Sequence, residues 1–358
     1  MKRMKTPLVA IPATMMLAVV PAAAFDGWHQ ESATVIESKT ATFDYITFDA
    51  GTNKIFLGHR KEGLQVFDPV TKKVVKVVGD TVSHSANGAT LIPEMDLGIS
   101  NNEDGTLTPF KLSTLEAQPS MKVSEELDTS HYDDFSKRIF VNAAAGKDGQ
   151  DIIAIDVPSM KVAGTVKAPT KKAEGADADG KGKFYLAEQD LGKIAVIDTK
   201  ALKVMAEWAP AGCAKPTSIA VDRVNNRLLV GCRSGGATKP AFVVLDAADG
   251  KVIFTAEIGD GVDSVIYDAQ LKRVFFANGL AANLSIFEQV DANTYKAVET
   301  LTTRNWAKVL AYDAKAKKLF SMTAEGSSDA AKKINLAIAP YYPNTVFPNT
   351  FTVLTYSK

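Results

Sequence analysis

Four carboxylates recur at one place in the chain. Asp44, Asp128, Glu174 and Asp263 each stand five residues before an aspartate, respectively Asp49, Asp133, Asp179 and Asp268, that closes a short apolar run. Thr217 and Lys308 hold the same place before Asp222 and Asp313, and Asn87 lies near its equivalent in a more divergent stretch. If these stretches are arranged about one axis, the side chains converge. Like charges so close raise one another's pKa, so the group favours a bound cation, a basic partner or protonation. A calcium-type ion suits such a set, Asp44, Asp128, Glu174 and Asp263 being the ligands, because it takes about six to eight oxygens from carboxylates, amides and water. The same residues also have a structural reading, as acceptors for a neighbouring repeat's backbone or as groups facing channel water.

A second set stands about ten residues after each closing aspartate. It comprises His59 with Arg60, Asn101 with Asn102, Asn142, Glu188, Cys232 with Arg233, Asn278 and Thr323. Arg304, Trp306 and His84 fall in segments that lead into repeats. A polar rim with an aromatic around an acidic centre suits a small molecule, a peptide or a protein partner. Asparagines at strand ends also serve as turn residues, their side chains satisfying local backbone. The four histidines, His29, His59, His84 and His131, show neither HxH nor HxxxH spacing, which leaves zinc and copper without support. His131 should lie inside an inner strand as a hydrogen-bonded structural group. GxSxG, Walker, GxGxxG and CxxCH motifs are absent from the sequence, and no catalytic residue is assigned. The enzymatic alternative is a metal-dependent hydrolase or lactonase with His59 or His84 as base.

The elements that must position these groups are repeated. The aspartates Asp49, Asp133, Asp179, Asp222, Asp268 and Asp313 are separated by 84, 46, 43, 46 and 45 residues, the first interval being two periods. Five residues after five of them comes a base (Lys54, Arg138, Arg227, Arg273, Lys318), and after Asp179 it comes one residue early, as Lys183. Apolar strands follow each time, as in IFLG, IFVN, FYLA, LLVG, VFFA and LFSM, and then a third set, LQVFD, IIAID, IAVID, FVVLD and LSIF. Strands of this length every ~10 residues within a period of ~44 predict four strands per unit, the layout of a propeller blade. Seven first strands begin near Tyr45, Ala89, Thr129, Ala176, Thr217, Ser264 and Lys308. The last unit ends at FTVLTY without a fourth strand, while ATVIES from Ala33 has no unit of its own. The N-terminal strand is therefore expected to join the last blade and close the ring, since an open edge leaves backbone groups unpaired.

IFVN at Ile139, FFAN at Phe275, VIDT at Val196 and the closing PNTFTVLTY at Pro348 resemble the YncE-like family of YVTN-repeat propellers. The resemblance spans nearly the whole chain beyond the N-terminal segment. It implies an exported seven-bladed propeller, with ligand or DNA binding proposed for some members. Its motifs build blade cores and transfer no catalytic residue.

Residues 1–24 have the layout of a secretory signal: Lys2, Arg3 and Lys5, an apolar run from Leu8 to Val20, then Ala22-Ala23-Ala24. The propeller is expected over 25–358, exported to the periplasm or secreted, without a membrane span and as a monomer. Without residues 1–24, 38 basic residues face 41 acidic ones, a net charge of −3. That balance provides no global attraction to nucleic acid. In an oxidising compartment Cys213 and Cys232 are expected to pair, because antiparallel pairing about Val224-Asn225 sets Cys232 opposite Thr217 on the channel-mouth face. The irregular stretch from Ala324 to Asn349, with Pro340, Tyr341, Tyr342 and Pro343, is read as a flap over the channel or a loop packed along the last blade.

Overall fold

A computed structural model describes residues 26–329, 331–332 and 343–358. The expected leader at 1–24 and the Pro340–Tyr342 segment lie outside the described residues. Seven four-stranded antiparallel sheets follow one another around a ring, forming a seven-bladed β-propeller. The inner strands of blades 1 to 7 are Ile46–Asp49, Ala86–Ile92, Leu127–Asp133, Ala173–Ala178, Lys215–Asp222, Val262–Asp268 and Ala311–Asp313. Blade 2 is the most irregular, its outer strand being only Met121–Lys122.

The repeated aspartates are turn formers. Asp222 Oδ1 accepts from the backbone N–H of Val224 and of Asn225, both at 3.1 Å, and Asp49, Asp133, Asp268 and Asp313 do the same for their own turns. The residue before the recurring base is left-handed, as at Asn53, Lys137, Asn226, Lys272 and Lys317. Blade 4 reaches its base one residue early because Gly180 and Gly182 both take positive φ and tighten the turn.

Between each pair of neighbouring blades lies one apolar cluster, seven in all among the described residues. The alternation along the strands sends one set of side chains to each side, so every blade is glued on both faces. The ring closes as the sequence predicts. His29–Val35 pairs antiparallel with Thr352–Ser357 and forms the outer strand of blade 7. The strand begins four residues earlier than ATVIES, and Trp28 ahead of it is 3% exposed. Its indole meets Phe275 of blade 6 edge-on at 5.1 Å, and its backbone N–H donates to Glu299 at 3.2 Å. Gly326–Ser327 and Thr345–Val346 pair within the long last loop, tying its two ends together. The described residues contain no helix long and apolar enough to cross a membrane.

Candidate functional site

One backbone device turns the recurring side chains inward. In blades 2 to 6 the ladder between first and second strands shifts register between Ala86 and Gly88, Leu127 and Ser130, Ala173 and Ala176, Pro216 and Ser218, and Val262 and Ser264. Asn87, Asp128, Glu174, Thr217 and Asp263 fall inside those β-bulges, which place an extra residue against one partner and re-aim its side chain. In blade 1 Asp44 N–H donates to Gly58 at 2.9 Å and Gly58 N–H donates to Tyr45 at 2.8 Å, so two residues again face one. The bulge corrects the expected cysteine register, because Cys232 stands opposite Pro216 rather than Thr217. Cys213 and Cys232 are joined by a disulfide with a Cα–Cα distance of 5.3 Å.

The carboxylates do not form a ring of unpaired like charges; that expectation is corrected by the cations among them. Lys308 Nζ lies 3.2 Å from Asp44 and 2.6 Å from Asp263. Arg60 reaches Asp44 at 2.8 Å and also pairs with Glu103, while Arg233 pairs with Asp263. Lys172 sits 3.3 Å from both Asp128 and Glu174. Gln189 Nε2 donates to Glu174 and to Thr217, each at 3.1 Å, and Asn87 Nδ2 donates to the Leu127 carbonyl at 2.7 Å. A polar belt thus runs from blade to blade around the whole mouth. Among the described residues no group of three or more His, Cys, Asp or Glu gathers to hold a metal, Asp44, Asp128, Glu174 and Asp263 included.

Electrostatics follow burial and these partners. Burial raises the pKa of Asp263, but Lys308 and Arg233 outweigh it and hold the group below the usual carboxylate range. Burial pushes Glu174 up to about 7 even beside Lys172, and burial with the Asp44 charge raises Asp128. Tyr45 is raised by burial and by the charges of Asp128, Asp44, Asp263 and Glu174. It lines both the mouth, a cavity of about 730 Å³, and a narrower cavity of about 140 Å³ further down the channel. His131 borders that lower cavity, and burial depresses its pKa to about 4. Its Nε2 lacks a hydrogen-bond partner, contrary to the bonded structural role expected.

The expected rim divides. Arg233 and Trp306 line the mouth with the ring residues, Trp306 stacking obliquely on Phe43 at 4.8 Å. His59, Glu188 and Asn278 do not line it; they are fully buried at the ends of the second strands, one position before the places that Arg60, Gln189 and Arg233 hold in the mouth. His59 stacks on Phe351 at 3.8 Å, its Nε2 donates to the Thr40 carbonyl at 2.9 Å, and burial lowers its pKa. Asn278 Nδ2 donates to Asn283 at 2.8 Å and Ser285 at 2.9 Å, pinning second strand to third. Glu188 has no hydrogen-bond partner on either oxygen, and burial with the neighbouring Glu207 carboxyl pushes it up to about 8. His84 meets Asp104 at 2.7 Å away from the cavity, and Arg304 borders a separate depression beside the last loop. Neither histidine considered as a base therefore faces the ring carboxylates.

Lys172, Lys215 and Glu126 also line the mouth, and sequence reasoning misses them. A signal for them exists. Each stands two residues before a ring position, as Trp306 does, and residues two apart share one face of an extended chain. Nothing in the sequence marks Tyr45 as a residue shared by both cavities.

Solved structures carry the same architecture. The "Structure of U3-55K" superposes with a TM-score of 0.71 at 7% identity, covering 91% of this chain and 99% of that one. The "Crystal structure of RRP9 WD40 repeats" gives 0.70 at 7%, covering 92% and 99%. A chain of the "Crystal Structure of Mitotic Checkpoint Complex" gives 0.69 at 12%, covering 89% and 96%. The chain shares the fold of WD40-type propellers. At these identities the likeness shows fold alone. No protein-family model and no curated protein matches the sequence.

Proposed function

We infer that this propeller is an interaction module that receives part of a partner protein at its mouth. The observation carrying the reading is the composition of the 730 Å³ cavity, with charges of both signs on its walls and the aromatic surface of Trp306 and Tyr45 among them. Charge depletion is usual at the centre of protein interfaces, but complementary charges fix register and exclude wrong partners. Propeller neighbours such as the RRP9 WD40 repeats and a chain of the mitotic checkpoint complex fit an interaction role. Calcium as occupant draws no support from carboxylates already paired to lysine and arginine, and hydrolase chemistry draws none from His59 or His84. Nucleic acid gains nothing from a net charge of −3 outside residues 1–24.

Within this reading, kinship with the YncE-like propellers rests on the blade-core strings, and export rests on the leader-like residues 1–24 together with the Cys213–Cys232 disulfide. The site is tested by placing a photo-crosslinking amino acid at Lys61, which lines the mouth, or at Val224, 86% exposed on the opposite face. Protein adducts from position 61 and not 224 are expected when the labelled protein is expressed in its own cells. Adducts from 224 alone, or from neither position, overturn the reading.

A further inference from the structure

The charges of the mouth are sorted by blade. Blades 2 to 4 contribute Glu103, Glu126, Asp128 and Glu174 against a single cation, Lys172. Blades 5, 6, 7 and 1 contribute Lys215, Arg233, Lys308, Arg60 and Lys61 against Asp44, Asp260 and Asp263. The wall of blades 2 to 4 thus has three more carboxylates than cations, and the opposite wall two more cations than carboxylates. The belt of ion pairs ties these groups together without erasing that asymmetry. Glu126 on one wall and Lys215 on the other take part in no ion pair among the described residues.

A second observation lies on the acidic wall. Asn87 is 2% exposed, lines the mouth, and directs its Nδ2 to the Leu127 carbonyl. Its Oδ1 has no hydrogen-bond partner. A buried amide oxygen without a partner costs free energy that a donor brought by a ligand would recover. Beside Asp128 and Glu126, the donor that fits is an ammonium or guanidinium.

We propose that the mouth reads charge direction: it takes an extended segment of a partner protein that sets a basic side chain against blades 2 to 4 and a carboxylate against blades 5 to 7. This rests on the interaction reading and sharpens it by fixing the orientation of the occupant. A segment with the opposite order must lie the other way across the mouth. One with two like charges has one end against its own sign, which is the repulsive element that specificity uses.

The probe is a capped hexapeptide with lysine at one end, aspartate at the other and glycine-serine between, carrying a diazirine beside the lysine. After irradiation, labelled tryptic fragments are mapped by mass spectrometry at low salt and at about 0.5 M salt, where charges are screened. Labelling concentrated on residues 85–130 is expected, falling at high salt. A Glu126→Lys/Lys215→Glu variant, which leaves the belt intact, should shift the lysine-end label toward blades 5 to 7 by about 1.4- to fivefold, the range expected of an exposed charge pair. Circular dichroism and melting of the variant confirm that it folds. Mouth labelling that is indifferent to peptide direction or to the swap overturns this inference while leaving the mouth as the binding site. Labelling found only outside the mouth, or none at millimolar peptide, overturns both.

Discussion

Lys308→Met tests how the mouth is held together. Lys308 Nζ bridges Asp44 and Asp263, whose side chains are each 5% exposed, and thereby links blades 6, 7 and 1 where the ring closes. Methionine keeps most of the stem's volume and removes only the charge. Taking one partner from a buried ion pair typically costs about 3–5 kcal/mol, because the remaining charge stays buried. Arg60 still pairs with Asp44 and Arg233 with Asp263, so the lower end, about 3 kcal/mol, is expected here. Urea denaturation at about pH 7.5 should show a reduced midpoint with an unchanged slope. The pH dependence adds a second constraint. Asp263 has a depressed pKa in the folded protein, so its contribution is present above the ordinary aspartate value and disappears as pH falls through the folded one. Without Lys308 Asp263 protonates more readily, and the gap between variant and parent should narrow steadily toward about pH 4. Adding Asp44→Asn alone, which leaves Arg60 with Glu103 and Asp263 with Arg233, should restore part of the loss at neutral pH. A single variant as stable as the parent at neutral pH, or a gap independent of pH, would refute the belt as described.

Trp28→Ala should cost about 3–5 kcal/mol, the usual range for emptying a buried tryptophan site, and the loss is read from denaturant melts; a change below about 1 kcal/mol would mean that closure does not depend on this anchor. Replacing Cys213 and Cys232 together by alanine should cost about 3 kcal/mol on the chain-entropy account of a loop this size, and reductant should have no further effect on that variant. Glu174 behaves oppositely to Asp263. Its folded pKa, about 7, lies above the ordinary glutamate value of 4.5, so the folded state loses stability as pH rises between the two and keeps that deficit above. Glu174→Gln should therefore gain on the parent across that window by up to about 3 kcal/mol, and parallel stability–pH profiles would contradict the assignment.

The period of the aspartates makes most of the fold legible in the sequence, because one residue type solves one turn problem in every blade. Asp222 with Arg227, and its copies, follow from the spacing of the chain alone. Closure is legible for a similar reason: a strand without a unit at one end matches a unit without a strand at the other. The anchoring Trp28 is not, since no repeat has a counterpart to it. In the mouth the ring positions are legible, but their electrostatics are not. Lys172 and Lys215 sit one strand repeat upstream, and a search for one recurring place passes over them. The expected rim is displaced by a single residue. In the second strand of blade 3 Asn142 reaches the next blade, donating to the Glu174 carbonyl at 2.9 Å, whereas Asn278, one place further along in blade 6, turns back to its own third strand. Adjacent places on a strand face opposite sides of the sheet, so a set taken at about ten residues after each aspartate mixes two faces.

The protein's own lysines and arginines already answer the ring carboxylates, and on that ground the mouth is proposed to take a charged segment of a partner rather than a metal ion. Calorimetric titration of calcium into metal-free protein, run beside the Asp128→Asn/Asp263→Asn variant, tests this most directly. Flat, non-saturating heats in both proteins are predicted. A stoichiometric isotherm in the parent that vanishes in the variant would contradict it.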